Sequence, residues 1–287
     1  MKSKLIVLSL LFTSFAYPWG FFAHKKINEY AIFCLPKERL KFYKPYIEKL
    51  ISLSIIPDIR KNTAISEYAM HYIDLEYYHV NTLGFSALKL SDGRTEMDSC
   101  LSKGVLPWHL IQLFDDLKTA IRFNQISQII RISGEMGHYL ADACVPLHTT
   151  ENYDGQLTGQ HGIHGLWESS LPEIYFNEYN MFGIKADTIL DIRQEIWRVI
   201  EDSHHLKDSV LLIHKELTER SSFPIYGITE RGTRQKADYS DKFKRHYHKK
   251  LNQMITKQLK KSILLCASMW ETAWVQVDRE KEKTEKR

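Results

Sequence analysis

The chain has 287 residues, enough for one large domain or two small ones with a sizeable core. Its 39 Lys and Arg against 35 Asp and Glu give a formal net charge of +4, which falls to about +2 without Lys2 and Lys4. That balance is no electrostatic funnel for nucleic acid, although a bound metal adds positive charge locally.

Met1 to Ala16 reads as a secretory signal: Lys2 and Lys4 form the charged start, Leu5 to Phe15 the apolar run, and Ala16 a small residue for cleavage. The run is too short to span a bilayer, and no later stretch is long enough for a transmembrane segment. Residues 1–18 are therefore expected to be a signal peptide and a short segment before Trp19, and the protein to be secreted or periplasmic.

Trp19 to Cys34 predicts a helix with Ile27, Ala31 and Cys34 on one stripe. Pro36 interrupts, and a second helix is predicted from Lys37 to about Leu53. Pro57 opens a turn at Asp58, and a short helix leads through Ala64 to His71. Thr82 to Gly104 is loop-like. Pro107 suits a first helical turn, in a helix running to about Phe123 on Leu110, Leu113, Phe114, Leu117 and Ile121. The next spans about Gln125 to Ala143, with Gly134 and Gly137 either packing against another helix or admitting a metal.

Glu151 to His161 is a polar loop, and Gly162 to about Tyr179 a helix broken at Pro172. Long helices follow over Thr188 to Arg220 and Asp241 to Val277, with Ser221 to Tyr239 as a loop between them. His204, His205, His214, His246 and His248 lack carboxylates at ligand spacing and read as surface or polar-face residues. Residues 279–287 form a charged, solvated, frayed tail. The four cysteines show no C-x-x-C spacing, and no disulfide can be assigned. The expected fold is one all-α, multi-helix domain over residues 19–278, with roughly seven to nine helices.

One stretch, Gly134 to Glu168, concentrates the chemistry. His138 and Asp142 are four apart, as are His164 and Glu168, so each pair shares a helix face. His148 and His161 lie between the pairs. Imidazole nitrogen and carboxylate oxygen suit zinc. Adding His24, Asp58 and His71 gives eight candidate side chains: His24, Asp58, His71, His138, Asp142, His148, His164 and Glu168. That is more than one zinc uses, so two or three metals with a shared carboxylate are expected.

In order along the chain, WGFFAH at Trp19 to His24, PD at Pro57-Asp58, HYID at His71 to Asp74, HYLADACVPLH at His138 to His148 and HGLWE at His164 to Glu168 resemble the zinc-dependent phospholipase C and single-strand nuclease superfamily. The resemblance spans Trp19 to Trp274. It implies three zinc ions at the base of a cleft. Asp58, His71, His138 and Asp142 would hold the first, and His148, His164 and Glu168 the second. His24, Asp142 and the main-chain nitrogen and oxygen of Trp19 would hold the third, with Asp142 bridging. The superfamily has its tryptophan at the mature N-terminus. Here Tyr17 and Pro18 would precede Trp19 after cleavage at Ala16, leaving only its carbonyl.

The implied activity is phosphodiester hydrolysis by metal-activated water, with Asp58 and Asp142 as catalytic carboxylates. Asp74 or Glu76 could fix imidazole tautomers. Tyr72 and Asp74 occupy the positions where the nuclease branch stacks and reads a base, and the short Trp19 to His24 spacing also resembles that branch. Glu168 matches the phospholipase branch instead. A single-strand nuclease is the favoured expectation, a phospholipase C acting on phospholipid head groups the alternative, and a non-catalytic exported zinc-binding protein the reading of another class. Single-stranded nucleic acid or phospholipid is thus the expected partner, as substrate, with no obligate protein partner evident.

Overall fold

Helices dominate the computed structural model, which describes residues 20–61, 64–78, 100–231 and 234–286. In chain order they are α1 (Phe21–Phe33), α2 (Lys37–Tyr43), α3 (Ile47–Leu53), α4 (Ile56–Arg60), α5 (Ile65–Ala69), α6 (Leu106–Arg122), α7 (Ile126–Asp142), α8 (Ile163–Gly165), α9 (Leu171–Tyr175), α10 (Ile192–Arg220), α11 (Asp241–Lys250) and α12 (Met254–Glu285). The fold is all-α, with one antiparallel hairpin of β1 (Tyr226–Arg231) and β2 (Arg234–Tyr239). No described helix is long and apolar enough to cross a membrane.

Helix α7 is the central element: it packs on α6, α3, α1 and α12. From Ile132 to Asp142 every residue of it is buried. A helix enclosed on all sides needs small residues where neighbours come closest. A Cβ on Gly137 would lie 2.0 Å from Asn28 Oδ1, and one on Gly134 would lie 2.6 Å from Leu53 Cβ. Both are packing glycines. The Asn28 amide donates to Leu50 O at 3.0 Å and to Gly134 O at 2.9 Å, tying α1, α3 and α7 together. The Trp270 indole donates to Ser133 O at 3.1 Å and locks α12 on the same helix.

Several predicted boundaries differ, each for a local reason. Lys37 to Leu53 is two helices joined by a 3₁₀ turn at Lys44–Tyr46, because Pro45 has no N–H for the α ladder. Pro57 opens no turn; it sits in the first turn of α4, where its missing N–H costs nothing. Pro172 likewise starts α9, and the ladder before it widens into a π turn at Leu166–Ser170.

The expected loop at Ser221 to Tyr239 contains the hairpin, with Tyr226 opposite Tyr239. Asn252 and Gln253, at positive φ, split the last helix region, and Ser240 caps α11 by accepting from Phe243 N. The charged tail is helical to Glu285 rather than frayed, with its side chains exposed from Arg279 onward. The expected signal, Trp19, and the loop over residues 82–99 lie outside the described residues.

Candidate metal centre

Six segments of the chain deliver the eight side chains to one place. Helix α1 carries His24, α4 carries Asp58, and His71 follows α5. Helix α7 presents His138 and Asp142, the 3₁₀ turn Pro146–Thr149 presents His148, and α8 with the π turn presents His164 and Glu168. All eight are buried. They form three groups whose donor atoms lie within 4.8 Å of one another: His24, His138 and Asp142; Asp58, His71 and His138; His148, His164 and Glu168.

Asp142 links the first two groups through separate oxygens. Its Oδ1 lies 3.5 Å from His24 Nε2, and its Oδ2 lies 2.9 Å from His71 Nδ1 and 3.3 Å from His138 Nε2. Glu168 spans the third group, with Oε2 3.2 Å from His148 Nε2 and Oε1 3.0 Å from His164 Nε2.

The outer faces of the rings decide the tautomers. His138 Nδ1 lies 2.7 Å from Ser54 O, His148 Nδ1 2.8 Å from His71 O, and His164 Nδ1 3.0 Å from Tyr153 O. Carbonyls accept only, so each Nδ1 carries the proton and donates it. Each neutral ring then turns an Nε2 lone pair inward. His148 Nε2 and His164 Nε2 stand 3.3 Å apart, too close for two lone pairs with nothing between them. His24 has no hydrogen-bond partner at either nitrogen, Asp58 none at Oδ2, and Glu168 none at either oxygen. Buried polar atoms left this way are costly unless a cation takes them. The nitrogen and oxygen donors, their inward lone pairs and their backing bonds all fit zinc.

Burial and the neighbouring carboxylates pull these rings in opposite directions. Burial pushes His24 well below its ordinary value, and the neighbouring His138 adds to the fall. Burial also lowers His71. For His138, burial opposes charge but Asp142 and Asp58 outweigh it, and the pKa rises. Asp142 is buried, which favours its neutral form, yet His138 and His148 hold it well below the carboxylate range. These groups are tuned to one another, not to water.

The site opens into a pocket of about 480 Å³ walled by Lys61, Tyr68, Tyr72, Asp74 and Tyr153. Tyr72 and Asp74 therefore line the pocket wall and are not among the donors. Burial raises Asp74 to about 7, opposed by Lys103 at 3.9 Å. Neither Asp74 nor Glu76 backs an imidazole: Glu76 accepts from Thr150 Oγ1 at 2.5 Å. Main-chain carbonyls do that work for three histidines. Sequence reasoning also missed Lys61, whose Nζ lies 2.7 Å from Asp58 Oδ1 three residues away. His161 is exposed and joins none of the three groups. Trp19 lies outside the described residues.

Of the five late histidines, His205 and His246 are exposed, but His214 is buried at 2 % exposure. Its Nε2 donates to Tyr239 Oη at 2.9 Å, and its Nδ1 accepts from Gln160 Nε2 at 3.1 Å. Tyr239 then donates to His161 O at 3.0 Å, so the hairpin and α10 brace the loop behind His164. The polar-face expectation fails for His214 because the hairpin that covers it has no helical period to reveal it.

A profile of the zinc dependent phospholipase C family matches residues 23–222. The chain belongs to that family. Among solved structures, alpha-toxin of Clostridium perfringens (avian strain SWCP) aligns at a TM-score of 0.51 and 12 % identity, over 88 % of this chain and 64 % of the toxin. At that identity the likeness concerns the fold. The family member described here thus spans about 64 % of the toxin chain's length. A search of curated protein sequences finds no match.

Proposed function

We propose that the chain is an exported, zinc-dependent phosphodiester hydrolase of the phospholipase C type, acting on phospholipid. The nuclease expectation gives way to its alternative, because the matching family is a phospholipase C family. The observation that carries the proposal is the set of inward-facing lone pairs at the base of an open pocket, above all His148 and His164 with Nε2 atoms 3.3 Å apart. Zinc would be held by Asp58, His71, His138 and Asp142, by His148, His164 and Glu168, and by His24 with Asp142 and the main chain of Trp19.

When bound, zinc lowers the pKa of water and neutralises phosphoryl oxygens. The protein's own groups do the rest. Asp142 serves two groups through its two oxygens and so fixes their spacing. Asp58 Oδ2 has no hydrogen-bond partner and is free to accept a hydrogen bond from water and orient it. The Lys61 ammonium, beside Asp58 at the pocket wall, is placed to meet a phosphoryl oxygen. Tyr68, Tyr72 and Tyr153 offer flat apolar walls to the rest of the substrate.

The test is hydrolysis of phosphatidylcholine, with single-stranded DNA and bis-p-nitrophenyl phosphate in parallel. Lipid cleavage that a chelator abolishes and zinc restores is expected. Cleavage of DNA alone would return the nuclease reading, which Tyr72 and Asp74 in the pocket wall still suit. Zinc binding with no turnover on any of the three would leave a non-catalytic zinc protein. N-terminal sequencing of the exported chain fixes whether Trp19 is terminal.

A further inference from the structure

His71 is the exception among the backed histidines. The other three give Nδ1 to a main-chain carbonyl and face the centre with Nε2. His71 faces the centre with Nδ1, 3.0 Å from His138 Nε2 and 2.9 Å from Asp142 Oδ2. Its Nε2 points away from the centre toward Glu67 Oε1 at 3.7 Å, an ion-pair distance rather than a hydrogen bond, and has no other hydrogen-bond partner. That carboxylate is itself held. Arg60 Nε donates to Glu67 Oε2 at 3.0 Å, and Tyr139 Oη donates to Glu67 Oε1. Arg60 Nη1 continues to Glu135 Oε2 at 2.8 Å. Glu67 and Glu135 are buried, while the Arg60 side chain is 36 % exposed.

The members of this network sit next to the ligands. Arg60 shares α4 with Asp58, Glu67 lies four residues before His71, and Tyr139 follows His138 on α7. Asp58, His71 and His138 are one of the three donor groups. Chain neighbours of all three members thus meet in one side-chain bracket, which reaches the group itself at His71.

We propose that Glu67 is a positioning residue for the Asp58, His71 and His138 metal group, holding the His71 proton on Nε2 so that Nδ1 is free to bind, with Arg60 and Tyr139 clamping Glu67. This rests on the proposed zinc binding and adds to it. A buried imidazole has two neutral tautomers, and a carboxylate behind one nitrogen selects the tautomer that donates to it. Removing that partner leaves the ring free to turn or to protonate the wrong nitrogen. Zinc at this one group should suffer, and zinc at His148, His164 and Glu168 should not.

The test is zinc stoichiometry by elemental mass spectrometry and zinc affinity by competition with a chromogenic chelator, on the full chain. For Glu67→Ala, one site should weaken by about 10- to 100-fold while the others keep wild-type affinity. Glu67→Gln, which keeps an acceptor oxygen, should recover most of the loss. Long-range ¹H–¹⁵N spectra of the zinc-loaded protein should show the His71 proton on Nε2 in the wild type. In Glu67→Ala that assignment should be lost without change in His148 or His164. Should Glu67→Ala fail to fold, Tyr139→Phe keeps the ring and removes one clamp; the same single site should weaken by several-fold.

Wild-type affinity at all sites in a folded Glu67→Ala or in Tyr139→Phe would overturn the proposal, as would equal weakening at every site. If the wild-type chain binds no zinc, the functional proposal itself fails, a different outcome from unchanged binding in the variant.

Discussion

The His148, His164 and Glu168 group and the Asp58, His71 and His138 group share a cleft but are supported differently. Behind His148 and His164 stand main-chain carbonyls, those of His71 and Tyr153. Behind His71 stands a carboxylate and beside Asp58 a lysine, so that in this group His138 alone has a carbonyl, that of Ser54, behind it. Main-chain support is fixed once the chain is folded and cannot be removed by substituting its owner's side chain. Side-chain support can be tuned, lost or regained one residue at a time. The two groups should therefore respond unequally to mutation and to chelation.

The largest effect is expected where the asymmetry breaks down. Asp142→Asn removes the carboxylate that meets both His24 and His71, so zinc content should fall by two and activity by about 10³-fold or more. A fall of one zinc or less, measured by elemental mass spectrometry, would sink the bridge. Zinc removal comes next. At free zinc a thousandfold above its Kd, binding adds about 4 kcal/mol of stability. Thermal melts with and without chelator should differ by about 10 °C. In a graded chelator titration the group backed by carbonyls should empty last; the reverse order would invert the comparison.

His214→Ala probes the brace behind His164. It empties a buried site and strands Gln160 and Tyr239, so denaturant melts should show a loss of about 2–3 kcal/mol. A loss below about 0.5 kcal/mol would mean that the network braces nothing.

Asp74 sharpens the view from the pocket wall. Burial raises it to about 7 from 3.8, so its ionised form is disfavoured in the fold. The penalty is absent well below pH 3.8, grows as pH rises, and is complete above about 7. Asp74→Asn should leave the melting temperature unchanged at pH 3 and raise it by about 2–4 °C at pH 8. A gain at low pH instead would reverse the sign. His205→Ala, at an exposed position, should change stability by less than about 0.5 kcal/mol and leave zinc content intact.

Much of this was legible because it is local. Helical period alone put His138 with Asp142 and His164 with Glu168, and apolar spacing placed α6 and α7 to within a residue or two. Glu67 and His71 have the same four-residue spacing, but nothing in the sequence says that the carboxylate backs the ring instead of joining it at the metal. Lys61 beside Asp58 is a similar case at three residues.

What the sequence by itself determined, then, is a helical chain with eight metal-type donors in a recognisable order, since residue chemistry and helix geometry act over a few positions. What only the tertiary structure decided is which nitrogen of each histidine faces inward, that His214 is buried, that Gly134 and Gly137 serve packing, and that Asp74 lines the pocket. Those depend on carbonyls and side chains brought from 84 residues away, as Ser54 is from His138, to 106, as Asn28 is from Gly134. Separations of that length carry no periodic signature, because the chain between them is free to take many paths until the core closes.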